Sequence, residues 1–441
     1  MLYRYSVENY KSFRDRAEIS FFPTDASNRH VSGYTSDIPV LNTTVIYGAN
    51  ASGKSNLIKS LAFFKKIIFD NNSILISSND QYRLEKKYEN KPSVFVIEAK
   101  IGHEILQYGL AVILREAKIV EEWLYSITKQ GETEIFSRSS GNTLDLNQRL
   151  VSAANRERYK VYTDDLNDHS LFLTEIATKK NVDTDLLGKS ILSMYKWFKN
   201  LRIVFPNTRY NIIEDIVSDD KSVNEMYVNF FNDFGIDIAG VHTSLLEKFP
   251  EGFPQEMIDD IRKSLIIDNK KKAAFIRDTT QNIDYLVRLN PQKEIVISDI
   301  RFEHRKNGNS VDFKKTDESD GTQRLFDLIP ILNDAIKNNR VVVIDEIDRS
   351  LHSSLTLDLF ETYQLHRNRR RNSRCQLICT THDTSLMNLE YFRKEEIWFV
   401  EKKDQVSSMF SLDKFLLKDN ISNISSNYLL GKYGSLPKLK R

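Results

Sequence analysis

The chain has 441 residues, of which 40% are hydrophobic and 28% charged, and its formal net charge is +2. This is an ordinary globular balance, and the length predicts more than one domain. The near-neutral charge argues neither for nor against a nucleic-acid partner, so only local patches are informative. No apolar run approaches the roughly 18 residues that a membrane span needs, and residues 1–13 lack the apolar region of a signal peptide. We therefore expect no membrane partner.

Two cysteines, Cys375 and Cys379, stand close together in a β-rich run. A strand would place both side chains on one face. A metal site would need further ligands, and none is evident nearby, so the pattern predicts a pair of buried thiols. This cysteine usage fits a reducing, cytoplasmic setting.

The predicted elements begin with a strand at Leu2–Val7. A second β-rich run, Thr43–Tyr47, meets a glycine loop at Gly48, and the apolar spacing from Ser55 to about Phe69 predicts a helix. From Ser93 to Phe136 the β-branched and apolar residues predict short strands of an antiparallel arm sheet.

A mainly helical stretch is predicted from about residue 150 to residue 290. Its helical segments are Ser170–Thr178, Leu187–Lys199, Val223–Phe234 and Pro254–Ile267. No heptad pattern is sustained over several turns, which argues against a long coiled-coil arm.

From Ile295 onward the strand pattern returns. Val341–Ile344 is short and wholly apolar, which is typical of a strand in a buried parallel sheet. The remaining predicted elements are helices at Thr322–Ala335 and Leu355–His366, and strands at Gln376–Thr380 and Glu396–Glu401.

The first motif with a chemical meaning is Gly48-Ala49-Asn50-Ala51-Ser52-Gly53-Lys54-Ser55, a full G-x-x-x-x-G-K-S. Its glycines let the backbone wrap a phosphate chain, and the N–H groups at the start of the following helix point at negative charge. We expect Lys54 to reach the β- and γ-phosphates of ATP and the Ser55 hydroxyl to hold Mg²⁺. The loop follows a predicted strand and opens a predicted helix, which disfavours a plain turn. The predicted nucleotide-binding residues here are Gly48, Asn50, Ser52, Gly53, Lys54, Ser55 and Asn56.

The second motif is the apolar strand Val341–Ile344 followed by Asp345 and Glu346. Asp345 emerges at the carboxyl end of the strand, where it can hold the Mg²⁺ shell. Glu346 comes next and can polarise the attacking water, so it is the predicted catalytic base. The alternative is a pair of surface acidic residues at a strand end, which the glycine loop disfavours.

The third motif is Glu318-Ser319-Asp320-Gly321-Thr322-Gln323-Arg324, which precedes an apolar helix and lies about twenty residues before the acidic strand. Ser and Gly begin many helices, so simple helix capping is an open alternative. The position is nevertheless informative. In ABC ATPases a Ser/Gly helix start at this place binds the γ-phosphate held by the other subunit, which assigns Ser319 and Gly321 to the nucleotide.

Two further positions follow the acidic strand. His382, in Thr380-Thr381-His382-Asp383, ends the next strand and is predicted to contact the γ-phosphate, although a lone histidine is often structural. Asp348 sits where the subunit-crossing loop of ABC ATPases lies. The glutamine of a Q-loop is not placed, and Gln130 and Gln148 are weak candidates.

These patterns predict an α/β fold, an ABC-type P-loop ATPase head with a mixed sheet, helices and an antiparallel arm sheet, plus a mainly helical insertion. Residues 1–140 would form the N-terminal half of the head with the phosphate loop and the arm sheet. Residues 141–292 would form the insertion. Residues 293–441 would form the C-terminal half with the signature, the acidic strand and the switch histidine.

The motif order resembles the SMC/RecF branch of ABC ATPases, and the opening Glu8–Phe13 looks like the first strand and turn of that branch. More narrowly, the chain resembles the bacterial RloA/AbiL-type ATPases, relatives of the OLD family. The resembling pieces are Pro92–Phe95, Glu121–Tyr125, Phe136–Arg138, Asp345–His352, Ile397–Lys402 and Tyr428–Gly434. The resemblance covers nearly the whole chain and is weakest over residues 140–290. It implies a homodimer or higher even oligomer, and an anti-phage or abortive-infection role with an effector encoded nearby.

One departure from the OLD relatives concerns nuclease activity, because those proteins carry a Toprim domain after the ATPase. About sixty residues follow His382 here, and they are needed to complete the head, so we expect no nuclease in this chain. A DNA-repair or recombination ATPase that binds DNA directly is the alternative function. A transporter's ATPase subunit is disfavoured by the large insertion and the SMC-like start.

Two basic runs leave nucleic-acid binding open. His366–Arg374 holds five arginines in nine positions and is either a solvated loop or a phosphate-binding patch centred on Arg367–Arg374. Lys270–Lys272 is shorter, and a solvated run is the favoured interpretation.

Overall fold

The computed structural model describes the chain apart from residues 25–26, 28, 33–37, 71–72, 140–142, 165, 207–220, 251–252, 268–272, 279–282, 371–372, 416–423 and 434–441. The chain divides into two compact units. The first comprises Met1–Pro206, Ala335–Ile347 and Arg370–Arg441, and the second comprises Asn207–Asp334 and Asp348–Arg369. In the described part of the chain, no helix is both long and apolar enough to cross a membrane.

The central sheet of the first unit is mostly parallel. Its strands, in spatial order, are Arg202–Val204 (β11), Val341–Ile344 (β17), Gln376–Thr380 (β18), Thr43–Tyr47 (β5), Ile397–Lys403 (β19) and Val406–Ser411 (β20). Each neighbouring pair is parallel except β19 and β20, which run antiparallel. β5, β17 and β18 are buried along their whole length, as expected for strands covered on both faces.

The strand predictions for this sheet are confirmed at β5, β17 and β18, whose bounds match the expected ones. The strand expected at Glu396–Glu401 is β19. Both cysteines are buried thiols, as predicted, and neither forms a disulfide.

Lys54–Phe69 forms the helix that opens behind the glycine loop (α1). The apolar spacing of the sequence is reproduced, because Leu57, Leu61, Phe64 and Ile68 are all buried in one core. A short helix at Ser73–Ile76 (α2) follows.

The predicted arm sheet is confirmed. Its antiparallel strands are Leu2–Glu8 (β1), Ala17–Ser20 (β2), Ser93–Ile101 (β6), Glu104–Ile113 (β7), Lys118–Thr128 (β8), Gly131–Ser139 (β9) and Thr143–Leu146 (β10), in the spatial order β10-β9-β8-β7-β6-β1-β2. One face of the sheet covers the core, where the Tyr108 ring stacks on Phe64 of α1 at 5.7 Å. A small ribbon of Val31–Ser32 (β3) and Val40–Leu41 (β4) lies apart from both sheets.

Helices Ala153–Asp164 (α3), Phe172–Ala177 (α4) and Leu186–Asn200 (α5) complete the core of this unit, together with the more C-terminal Ile424–Leu429. The buried carboxylate of Glu122 on β8 accepts the N–H groups of Phe172 and Leu173 at 2.8 Å each, and so holds the start of α4 against the arm sheet. Asp185 caps α5 by accepting the Gly188 N–H.

The second unit contains both helices and an antiparallel sheet. The helices are Lys221–Asp233 (α6), Gln255–Ile267 (α7), Asp320–Asn338 (α8, whose last residues belong to the first unit) and Ser353–Asn368 (α9). The helix Ile424–Leu429 of the first unit is numbered α10. The strands are Gly240–Leu245 (β12), Ala273–Asp278 (β13), Ile283–Leu289 (β14), Ile295–Lys306 (β15) and Asn309–Lys314 (β16). β15 pairs with β12, β14 and β16, and β14 pairs with β13.

The helices predicted at Val223–Phe234 and Pro254–Ile267 correspond to α6 and α7. The same stretch also contributes β12, β13 and β14, which the sequence analysis missed. β12 and β14 pair with the long strand β15, and β13 pairs with β14. This pairing, rather than the composition of the strands, decides their conformation. Aromatic packing fixes α6 and α8 in this unit, because the Tyr227 and Phe326 rings stack at 4.7 Å.

Candidate nucleotide-binding site

The predicted site residues of the first unit lie at the carboxyl ends of three adjacent parallel strands. The glycine loop follows β5, Asp345 and Glu346 follow β17, and His382 follows β18, which lies between the other two. In an open parallel sheet such an edge is where ligands bind. The structure therefore brings residues 48–55, Asp345, Glu346 and His382 to one edge.

The glycine loop has no room for side chains at its two glycines. A Cβ on Gly48 would lie 2.4 Å from Val400 O, and one on Gly53 would lie 2.4 Å from Ser407 Oγ. Gly53 also has a φ of +118°, which strains any other residue. The close packing under the loop explains both glycines.

Lys54 is buried and its ammonium donates to Gly48 O at 2.6 Å and to Ala49 O at 3.3 Å. The lysine thus joins the end of the loop to the two carbonyls at its start. Ser52 is buried, Ser55 and Asn56 are half-buried, and Asn50 is exposed at the tip. The first-turn N–H groups of α1 face the loop and have no carbonyl to accept them within the helix.

Two serines that the sequence analysis missed hold this loop from below. Ser407 on β20 donates its hydroxyl to Ser52 O at 2.5 Å and its N–H to Ser12 O at 2.8 Å. Ser12 Oγ accepts from the Asn56 amide at 2.8 Å. Ser12 lies in the Glu8–Phe13 segment, so this turn, noted for its family resemblance, supports the loop.

The acidic strand is joined to its neighbour by Thr380 at the end of β18. The Thr380 hydroxyl donates to Asp345 Oδ1 at 2.6 Å and accepts the Glu346 N–H at 2.8 Å, while Thr380 O accepts the Ile347 N–H at 3.0 Å. Asp345 is buried. One residue therefore holds both the Asp345 carboxylate and the Glu346 backbone.

Glu346 has a φ of +51° and is half-buried. This left-handed conformation is uncommon for a residue other than glycine, and such strain is concentrated at functional sites. The bonds from Thr380 to Asp345, to the Glu346 N–H and to the Ile347 N–H sustain this turn.

His382 is exposed at the end of β18. The two weak Q-loop candidates lie elsewhere in the first unit: Gln130 is exposed at the turn between β8 and β9, and the exposed Gln148 donates to Leu146 O. Neither position supports a role at this edge of the central sheet.

The predicted signature residues lie in the second unit. Ser319 is exposed, accepts the Thr322 N–H at 3.1 Å and thereby caps α8. A Cβ on Gly321 would lie 3.3 Å from Ser350 O, so the glycine allows that backbone to pass close by. Asp348 is half-buried in the same unit. Capping by Ser319 is thus observed, and it is compatible with phosphate binding at the exposed helix start.

The arginine-rich run is partly used by the fold. Arg370 donates to the carbonyls of Ile336 and Lys337 near the end of α8, and Arg367 is buried. Arg369 and Arg374 are exposed. Lys270–Lys272 lie outside the described residues.

The donor set of this edge fits ATP and Mg²⁺. The loop backbone and Lys54 suit a phosphate chain, and the Ser55 hydroxyl and the Asp345 carboxylate are the oxygen ligands that Mg²⁺ prefers. The buried position of Asp345 beside Thr380 suits a ligand to the metal shell better than a surface role.

A family model described as "AAA domain, putative AbiEii toxin, Type IV TA system" matches residues 43–388, which include every predicted site residue. No curated protein matches the chain.

Among solved structures, the chain is similar to SMC head domains at low identity. The "SmcHead bound to the C-winged helix domain of ScpA" is 12% identical, with 95% of this chain and 98% of that chain covered and a TM-score of 0.42. The "SMC head domain from Thermotoga maritima" is 15% identical, with 93% and 98% covered and a TM-score of 0.39.

The Thr380 bridge gives a first prediction. Thr380→Val keeps the shape but leaves Asp345 Oδ1 and the Glu346 N–H without their partner, so ATP turnover should fall about tenfold or more. Thr380→Ser keeps the hydroxyl and is the matched control, which should stay within a few-fold of the parent. Phosphate release and thermal unfolding are measured together. Parent-level turnover in a folded Thr380→Val protein would contradict the bridging role.

Proposed function

The chain belongs to the AAA-domain family whose model it matches, and we propose that it is an ATP-hydrolysing, ATP-dimerising ABC-type ATPase of the RloA/AbiL kind. In this proposal it acts as the sensor or regulator subunit of a bacterial anti-phage, abortive-infection system. It controls a separate effector protein.

The observation that carries the ATPase proposal is the Thr380 bridge beside the glycine loop. A buried carboxylate and a glutamate with a strained backbone follow β17, the glycine loop follows β5, and Thr380 ends the strand between them. Structural requirements alone do not call for this combination, because a buried acid and a left-handed glutamate each cost stability.

In the proposed reaction Lys54 and the loop N–H groups bind the β- and γ-phosphates and hold them in line. Ser55 and Asp345 would hold Mg²⁺, which neutralises charge on the phosphate oxygens. Glu346 orients the attacking water and accepts its proton. His382, exposed at the same edge, contacts the γ-phosphate and senses its loss.

Dimerisation is proposed because the signature residues form an exposed helix start in the second unit. The positive end of a helix dipole favours a phosphate there. In a two-fold symmetric dimer, Ser319 and Gly321 of one subunit would complete the nucleotide site of the other. Asp348 would lie at the same interface between the two subunits.

The separate effector is proposed because the sequence offers one catalytic constellation, and ATP hydrolysis by itself harms neither a phage nor its host. The description of the matched family, "AAA domain, putative AbiEii toxin, Type IV TA system", supports a toxin-antitoxin or abortive-infection setting. A partner can respond to the ATP state only through different affinities for the two states of the dimer.

A repair or recombination ATPase that binds DNA directly remains the competing function. The exposed Arg369 and Arg374 are the residues that favour it. Hydrolysis stimulated severalfold by DNA, and lost on Arg369→Glu with Arg374→Glu, would support DNA binding over effector control.

The second prediction tests the catalytic carboxylate. Glu346→Gln keeps the shape but removes the base, so ATP should still bind while turnover falls about a hundredfold or more and a closed dimer accumulates. Lys54→Ala should instead lose tight binding of a fluorescent ATP analogue. Glu361→Gln, an exposed glutamate on α9, is the control. Parent-level hydrolysis by Glu346→Gln would exclude Glu346 as the base.

The third prediction tests the composite site. Ser319→Arg and Lys54→Ala proteins should each be inactive as homodimers. Their mixture should recover about a quarter of parent turnover, because half of the dimers are mixed and each of these has one intact site. Full activity of Ser319→Arg alone would contradict the shared site.

The fourth prediction concerns growth arrest and phage resistance in the host. Expression of this chain alone should give neither growth arrest nor phage resistance, because the output activity is proposed to lie in the effector. Co-expression with the neighbouring gene should give one or both, and Glu346→Gln should alter the result. Phage plating and growth curves in a host lacking that gene are the measurements. Full protection by this chain alone would place the effector activity here.

A further inference from the structure

The outer face of the arm sheet carries a groove of about 490 Å³, which is within the range of about 300–1,000 Å³ for ligand pockets. Its lining includes Gln107, Glu121, Trp123, Tyr125, Glu132 and Asp145. Strand register explains the set, because Trp123 on β8 pairs with Ser137 on β9, which pairs with Asp145 on β10. Gln107 on β7 pairs with Tyr125, so the groove follows one side of four neighbouring strands, β7 to β10.

The floor of this groove is a flat aromatic platform. Trp123 pairs with Gly109 on β7, and a Cβ on Gly109 would lie 2.1 Å from the indole ring. The missing side chain lets the indole lie across the strand, and the ring is half-buried with one side towards the groove. Tyr125 stands next to it on the same face.

The rim of the groove is acidic. Glu121, Glu132 and Asp145 are exposed, and Glu134 accepts hydrogen bonds from Tyr125 and Ser137 at 2.8 and 2.9 Å. Burial, and then the carboxylates of Glu134, Glu132 and Glu121, raise the pKa of Tyr125 to about 12.

One cation lines the groove among the described residues, and it is already used. Arg138 is buried, donates to Ser170 O at 2.6 Å and lies 3.6 Å from the Glu122 carboxylate on the core side of the sheet. This arginine is thus engaged by the Ser170 carbonyl and the Glu122 carboxylate. The negative charge of the groove disfavours a nucleic acid, because its phosphates would be repelled.

We propose that this groove binds an arginine-rich segment of a partner protein, with one guanidinium stacked on the Trp123 indole and neighbouring guanidiniums paired to Glu121, Glu132 and Asp145. Arginine fits better than lysine because its planar group stacks on a flat ring and pairs with carboxylates through two parallel bonds. The proposal concerns a surface that is separate from the nucleotide residues and does not depend on ATP hydrolysis.

The test uses a fluorescein-labelled hexa-arginine peptide, with anisotropy recorded against the intact chain at low salt. Saturable binding is expected, and hexalysine should bind more weakly. Trp123→Ala should weaken hexa-arginine binding about fivefold or more, and Trp123→Phe should restore part of the loss. The triple variant Glu121→Gln, Glu132→Gln, Asp145→Asn should weaken binding further and reduce its salt dependence.

The matched control is Glu104→Gln, because Glu104 is exposed at the start of β7 in the same sheet but does not line the groove. Its affinity for hexa-arginine should equal that of the parent. Thermal unfolding of each variant establishes that the sheet is intact, and Trp123→Phe covers the case in which the alanine variant does not fold.

Three results would overturn the proposal: no saturable binding by the parent, equal weakening by Glu104→Gln, or unchanged binding in the triple variant. ATP turnover of Trp123→Phe should match the parent, so failure here is distinguishable from failure of the ATPase proposal.

Discussion

The acidic part of the site depends on the hydrogen bonds that the Thr380 hydroxyl makes. This hydroxyl donates to Oδ1 of the buried Asp345 and accepts the N–H of Glu346, whose backbone is strained. A buried acid without a partner is costly, and a left-handed glutamate persists only where surrounding bonds impose it. The bridge works because β18 lies between β17 and β5, which puts Thr380 between the acidic residues and the glycine loop.

Much of the first unit could be predicted from the sequence, since its signals are local. The wholly apolar run at Val341–Ile344 and the loop after Thr43–Tyr47 each carry their own pattern, and both strands stand where expected. The supporting residues could not be predicted. Ser407 reaches Ser52 across a separation of 355 positions, and nothing near either serine indicates that strand β20 lies beside the loop.

In the second unit, less of the fold could be predicted from the sequence. Helices α6 and α7 have amphipathic spacing and were predicted. Strand β12 depends on β15, a partner far along the chain, whereas β13 and β14 each form a hairpin with the strand that follows. Gly240 pairs with Glu303, and this long-range pairing decides the strand. Short strands of this kind have no periodic signal strong enough to compete with helical neighbours. The helical interpretation of residues 150–290 was therefore incomplete in the places where pairing, and not propensity, decides the conformation.

Strand β7 connects the nucleotide-binding helix and the acidic groove through successive residues. Tyr108 faces the core and stacks on Phe64 of α1, while Gly109, the next residue, faces outward beneath the Trp123 indole. Tyr108 also donates to Glu122, which holds the start of α4. A displacement of α1 would therefore press on the same strand that forms the floor of the groove, because packed interiors transmit strain. If an occupant of the groove favours one nucleotide state, thermodynamic linkage requires that nucleotide favour or oppose the occupant by the same factor. The arm sheet thus provides a continuous path of packed residues from α1 to the groove within one unit.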